Sequence, residues 1–526
     1  MQSKEISQET TATHRVEDSK STVDTLEQAY PPAPEKVALH AQDGDEETAR
    51  YASQRGHIDE ATNKRLFWKI NKRILIIMLV TYFCQSLDKG TLGFSSIMGI
   101  KTDAHLTGQD YPWLGTILYM GILAGEYPQN FLLQKLPVGK FLATNVFLWG
   151  TVVTCSAASK TFGSLMAVRF LLGFFESCVQ PTFIILTTMW YTREEQTLLT
   201  SLWYSMTGVQ LMVGGLIAYG VSHYKGGVIF SWQLLFLILG CCTVAWSAVI
   251  FFILPDSPMR AKGFTEEEKV MLVERVRHNE TGIQNRKYKR YQVVEAFTDS
   301  FVWCCVALIL VCNLVIGGLG VFSNLIIAAF GFTVLQTQLL NIAQGAVTII
   351  VMLGSAYLAQ KTGQTCLIMV IWTIPAIIGT GVILGIKPTS SNAGGLLIAF
   401  YCTQFFLAQG NMIISLVSRN IAGQTKKGIT LTLTFVGWSV GNMIAPQLFQ
   451  TNDAPRYTHG FIAHLCIYGV YLLIVVLTRV ILMRRNAQKR QASAAAAGTD
   501  GENAVSHDLA FQDLTDLENP NFRYVY

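Results

Sequence analysis

The sequence predicts an all-α membrane protein of twelve transmembrane helices in two six-helix bundles. Three observations carry that expectation. Of the 526 residues, 51% are hydrophobic and only 14% are charged, whereas soluble domains carry roughly 25% charge. The apolar residues gather into about twelve runs, each near the ~20 residues that a helix needs to cross ~30 Å of hydrocarbon. A polar stretch over 255–300 divides those runs six and six. No run alternates with period two, as the strands of a membrane barrel would.

The runs lie at about 73–95, 112–133, 139–159, 163–187, 198–222 and 232–254, then 301–325, 336–359, 365–386, 394–417, 428–450 and 460–483. Residues 1–71 are polar, lack the apolar core of a signal peptide, and read as a disordered arm. Residues 72–254 form the first bundle and 301–485 the second. The tail, 486–526, reads as disordered like the arm. Within 255–300, Thr265 and Glu268 form a capping box ahead of an amphipathic helix whose apolar face holds Val270, Met271, Val273 and Val276.

Basic residues set the expected orientation. With a cytosolic N-terminus, the inner segments hold 25 Lys and Arg and the outer loops only 5. That excess predicts both termini in the cytosol and an even number of spans. The sequon Asn279-Glu280-Thr281 then faces the cytosol and stays unmodified. A net charge of +5, spread beside helix ends, speaks against a nucleic-acid partner. The eleven cysteines all fall within predicted helices and show no metal-ligand spacing, so they read as small apolar packing residues.

Five ionisable residues lie inside the expected spans: Asp88, Lys89, Glu126, Arg169 and Glu176. Charge in hydrocarbon is costly and survives where it is paired or lines a watery cavity, so these are the candidate functional residues. At 1.5 Å per residue, Asp88 lies roughly 21 Å from the inner boundary and Arg169 roughly 9 Å from the outer one, which puts both at one level. Arg169 and Glu176 are two turns apart on one helix face, and Glu126 falls near Glu176 in depth. The pattern predicts a carrier that moves an ion together with a solute. An Arg169–Asp88 pair of purely structural role is an open alternative, and the Glu-Tyr-Pro context of Glu126 could serve only to shape its helix.

Several motifs then bring a resemblance. Leu87-Asp88-Lys89, Gly125-Glu126-Tyr127-Pro128, Leu148-Trp149-Gly150, Arg169-Phe170-Leu171-Leu172-Gly173-Phe174-Phe175-Glu176, Met189-Trp190-Tyr191 and Arg193-Glu194-Glu195-Gln196 occur in the first half. Asn420-Ile421-Ala422-Gly423-Gln424-Thr425-Lys426-Lys427, Gly441-Asn442 and Asp453-Ala454-Pro455 occur in the second. In order and spacing over about 70–460 the chain resembles the major facilitator superfamily, and within it the fungal allantoate permease branch of the anion:cation symporters. The resemblance implies that Asp88 and Glu176 are proton-coupling sites, with Glu126 a third candidate. It implies that Lys89 and Arg169 are ion-pair partners or the countercharges of the substrate.

The second half supplies uncharged polar groups instead, and Asn313, Gln404 and Asn442 come out near the midplane where carriers bind solutes. Packing hydrogen bonds between helices are the alternative reading for each. The expected function is proton-coupled symport of a small organic anion by a monomer in the plasma membrane, with the proton as coupling ion and no other cofactor. An exporter of an acidic or amphipathic metabolite, or a nutrient sensor on the same fold, are the rivals. No catalytic motif is present, so an enzyme is not expected.

Overall fold

The computed structural model describes residues 59–224, 227, 229–277, 289–389, 391–497, 514–519 and 521–526. Among them there is no strand. The first half holds α1 (Glu60–Ser96), α2 (Asp110–Lys135), α3 (Val138–Ser156), α4 (Phe162–Trp190), α5 (Arg193–Ser222) and α6 (Ser231–Ile253). Two linker helices follow, α7 (Glu266–Arg277) and α8 (Arg290–Thr298). The second half holds α9 (Ser300–Ala329), α10 (Val334–Thr362), α11 (Thr365–Gly385), α12 (Ala393–Asn420), α13 (Gln424–Ile444) and α14 (Thr458–Ala497).

Eleven of these helices are long and apolar enough to cross a membrane by length and composition. The twelfth is α2, whose Asp110, Glu126, Gln129, Asn130 and Lys135 dilute its apolar character. It is nonetheless packed as tightly as its neighbours, because small residues let helix backbones meet. A Cβ at Gly173 of α4 would sit 2.0 Å from the Leu118 carbonyl oxygen of α2.

With twelve antiparallel passages, Glu60 and the end of α14 emerge at one end of the molecule, here called the terminal end. Contacts between the halves cluster at mid-height and towards the opposite, far end. Tyr111 donates to the Val321 carbonyl at 2.9 Å, Thr116 to the Met443 carbonyl at 2.8 Å, Gln447 to the Thr116 hydroxyl at 3.0 Å, and Gln338 to the Phe94 carbonyl at 3.3 Å. Lower down, α5 crosses α10 backbone to backbone, and a Cβ at Gly345 would lie 2.4 Å from the Gly208 carbonyl oxygen. The halves are thus sealed at the far end.

Three segments differ from the sequence expectation. The arm expected over 1–71 is helical from Glu60; the remainder, 1–58, lies outside the described residues, as does the sequon at 279–281. A second linker helix, α8, follows α7. The tail expected to be disordered from 486 instead continues α14 to Ala497, and residues 514–519 and 521–526 return to pack on the second half, with Thr515 and Asp516 fully buried. Local composition misleads there because the segment's partners lie far away in sequence. In the linker, Thr265 and Glu268 exchange the two bonds of a capping box at 3.0 and 3.2 Å.

Candidate functional site

Helix α4 carries the pivotal acid at a break in its own backbone. Regular α-helix runs Phe162–Glu176 and resumes at Val179–Trp190. Pro181 has no N–H to give the Ser177 carbonyl four residues earlier, so the ladder is interrupted there. Glu176 is therefore the last residue of a half-helix, placed in the middle of the span. Its side chain is 1% exposed, and its Oε1 lies 2.8 Å from the Lys89 ammonium of α1. Lys89 is partly open, at 27%.

These two groups line a narrow cleft with Gln85, Ile122, Ser177 and Gln180 from the first half and with Phe435 and Trp438 from α13 of the second. Lys89 lies 5.9 Å from the Trp438 ring, and that ring stacks on Phe435 and meets Tyr119 edge-on. A second aromatic group, Tyr82, Trp203 and Tyr204, stands one to two turns below on the terminal side of α1. A lysine bounded by aromatic faces and an acid suits a small anion with an apolar or planar body: the ammonium takes the charge and the rings take the rest.

Asp88 is adjacent in sequence but points elsewhere. It is 1% exposed, and its Oδ2 accepts from the Trp149 indole at 2.7 Å and the Thr243 hydroxyl at 3.0 Å. Its Oδ1 has no hydrogen-bond partner among the described residues. Arg169, 3% exposed, donates to the Thr91 hydroxyl at 3.3 Å and lies 5.7 Å from the Phe236 ring. No ion pair joins Arg169 to Asp88. The close pair formed by the charged residues is Lys89–Glu176, while Asp88 and Arg169 are held by neutral groups one helical turn apart.

Glu126 is half-buried on α2. Its Oε1 accepts from Asn130, one turn along, at 2.9 Å, and it does not line the cleft. Asn442 donates to Asn313 at 3.0 Å, joining α13 to α9. Gln404 accepts from Gln344 at 3.3 Å, and Gln344 accepts from Ser323 at 3.2 Å. Asn313, Gln404 and Asn442 thus bond within the second half, away from the Lys89 ammonium. Gln404 opens a 3-10 turn, Gln404–Ala408, that interrupts α12.

Sequence reasoning missed Trp149 and Thr243 as partners of Asp88, and Trp438 as the wall opposite Lys89. The Leu148-Trp149-Gly150 motif was a usable signal for the first. Thr243 and Trp438 have no local signal, since each is joined to its partner only by helix packing.

Comparisons with known proteins identify the family and the fold. The family model described as Major Facilitator Superfamily matches residues 78–446. An uncharacterised transporter of Schizosaccharomyces pombe is 35% identical over 477 residues, covering 88% of this chain and 87% of its own. The thiamine pathway transporter of Saccharomyces cerevisiae is 35% identical over 463 residues, with 87% and 86% covered. The allantoate permease of the same yeast is 30% identical over 476 residues, with 88% and 86% covered. Among solved structures, a bacterial homologue of the human lysosomal transporter Spinster, inward-facing and unoccupied, aligns with a TM-score of 0.57 at 14% identity, over 77% of this chain and 95% of that one.

Proposed function

Because the chain belongs to the Major Facilitator Superfamily, and is a multi-pass membrane transporter and not an enzyme, we propose that it couples protons to the movement of a small organic anion. The observation that carries the reading is the Lys89–Glu176 contact at 2.8 Å in a cleft walled by both halves. A substrate carboxylate entering the cleft competes with Glu176 for the single lysine ammonium. A carboxylate that loses its cation in a low-dielectric site is more stable protonated. Anion arrival and proton uptake are thereby tied together: the lysine passes to the substrate and the proton passes to the acid.

Asp88 is the second proton site in this reading. Its two donors, Trp149 and Thr243, sit on α3 and α6, so its environment depends on how those helices stand against α1. Arg169 keeps a positive potential on the cleft's far side. Asn313, Gln404 and Asn442 serve selectivity through the packing of the second half, and Glu126 acts as an auxiliary proton acceptor. The far-end seal and the inward-facing relative support a state open to the terminal end. The charge asymmetry of the loops supports a cytosolic terminal end. The chain works as a monomer in the plasma membrane, and the allantoate permease likeness favours carboxylate-bearing solutes.

The test is uptake by proteoliposomes under an imposed pH gradient, using substrates chosen by thermal shift against small carboxylates, since a bound ligand raises apparent stability. Glu176→Gln is expected to abolish acid-driven accumulation and to retain exchange. Undiminished accumulation in that variant would overturn the coupling role of Glu176.

A further inference from the structure

The terminal end of the second half holds an ion cage that is completed only by the returning tail. Lys426, at the start of α13, is fully buried, and its ammonium bonds three carboxylates: Glu295 at 2.9 Å, Asp299 at 2.7 Å and Asp516 at 2.7 Å. Arg485 of α14 bridges two of the same acids, at 2.5 Å to Asp299 and 3.8 Å to Asp516. The tail contributes one of the two fully buried acids. Without it, Lys426 and Arg485 share Asp299, and Lys426 alone keeps the partly exposed Glu295.

The tail backbone is recognised as well as its charge. The Asn486 side chain donates to the Tyr524 carbonyl at 2.8 Å and accepts from the Tyr524 N–H at 2.9 Å. Asn420, at the end of α12, does the same for Val525 at 2.7 Å both ways. Two amide side chains reading two successive peptide units in both directions is how a protein captures an extended peptide. Tail rings also lie against cations: Tyr524 beside Arg485 at 5.7 Å and Tyr526 beside Arg479 at 5.2 Å. The Tyr524 hydroxyl in turn donates to Asp516 at 2.9 Å, which folds the tail into one unit.

These contacts fall on α8, α9, α12, α13 and α14, and on nothing in the first half. The helix fastened most directly is α13, which carries Phe435 and Trp438 nine and twelve residues beyond Lys426. We propose that the terminal end of the second half is a peptide-binding site whose ligand is the chain's own segment 514–526, and that reversible seating of this segment sets the rigidity of α13. Seated, it ties five helix ends into one body that can swing as a unit. Unseated, α13 is free to move against α9 and α14.

The test leaves the chain intact during folding. A protease site is placed between residues 500 and 510 of the full-length protein, and cleavage follows purification. Fluorescent peptide 514–526 is expected to bind the nicked, gel-filtered protein saturably, and the same peptide carrying Asp516→Asn to bind at least tenfold more weakly. In a second arm, full-length Asp516→Asn is compared with the parent by amide hydrogen exchange. Exchange is expected to rise at least tenfold over residues 425–434 and to stay unchanged over α3 of the first half. The proposal fails if the peptide does not bind saturably, if both peptides bind equally, or if exchange over 425–434 is unaltered.

Discussion

The fourth helix of each half is interrupted at mid-span, and the two interruptions hold different chemistry. In the first half the break follows Glu176, whose carboxylate meets a lysine in a narrow cleft between the halves. In the second half the break begins at Gln404, which accepts a neutral hydrogen bond from Gln344. Corresponding broken helices in two halves mark the binding level of a carrier. Here one half brings charge to that level and the other brings amides. The second half's own charges sit instead at its terminal end, in the cage around Lys426. One architecture therefore uses ions for transfer in one half and for bracing in the other.

The sharpest way to break this contrast is to remove one cation from each half. Lys426→Ala leaves three carboxylates around a buried position with Arg485 as the remaining cation, reaching Asp299 and Asp516 only, and breaking such a buried network costs roughly 3–5 kcal/mol. Thermal unfolding of the purified protein should show it as a large downward shift of the transition. Lys89→Ala strands only Glu176, whose partner is already partly exposed, so the shift is smaller while substrate binding falls by an expected factor of at least ten. Adding Glu176→Gln to Lys89→Ala should recover stability but not binding. If Lys89→Ala unfolds the protein as severely as Lys426→Ala, the division between transfer and bracing is wrong.

A milder comparison uses acidity. Burial pushes the Asp299 carboxyl up, but Arg485 and Lys426 outweigh it and hold the carboxyl below its ordinary range. A group with a depressed folded value stabilises fully above its unfolded pKa, ~3.9 for Asp, and loses that stabilisation as the pH falls through the folded value. The Asp299 contribution should thus be constant between pH 5 and 8 and be lost only in stronger acid. The pH profile of the thermal transition in the parent, set against Asp299→Asn, checks this.

The smallest effect is expected at the linker. Glu268 of α7 meets Lys69 at 2.5 Å and Arg65 at 3.7 Å, but both cations are substantially exposed. Glu268→Ala removes two pairs with partly exposed cations and one bond of the Thr265 capping box, and should cost about 1–2 kcal/mol. Loss of uptake from that change would mean that α7 acts as a functional brace for the first half, as the tail does for the second.

The helical framework was legible because apolar runs near the length of a bilayer crossing, and the basic residues between them, are local signals. Even α2 could be read, although its polar residues leave it the least apolar of the twelve. The charged set was also legible, since ionisable side chains inside apolar runs stand out. Their pairing was not. Depth arithmetic places Asp88 and Arg169 at one level, but it cannot say which way each rotates. The indole of Trp149, 61 residues from Asp88, took the place an arginine could have held. The tail was the least legible part, because Asp516 and Tyr524 gain their order from Lys426, Arg485 and Asn486, which a reading of the segment alone does not see.

The far-end seal between the halves contains four hydrogen bonds and, among the described residues, no ion pair. At about 1 kcal/mol net for each, undoing the four takes about 4 kcal/mol, which is comparable to the binding free energy of a millimolar ligand. A weakly held solute could therefore tip the balance between the two faces of the membrane. A gate made of neutral groups would also open equally readily in dilute and concentrated salt, so the organism's ionic surroundings would have little hold on when it turns over.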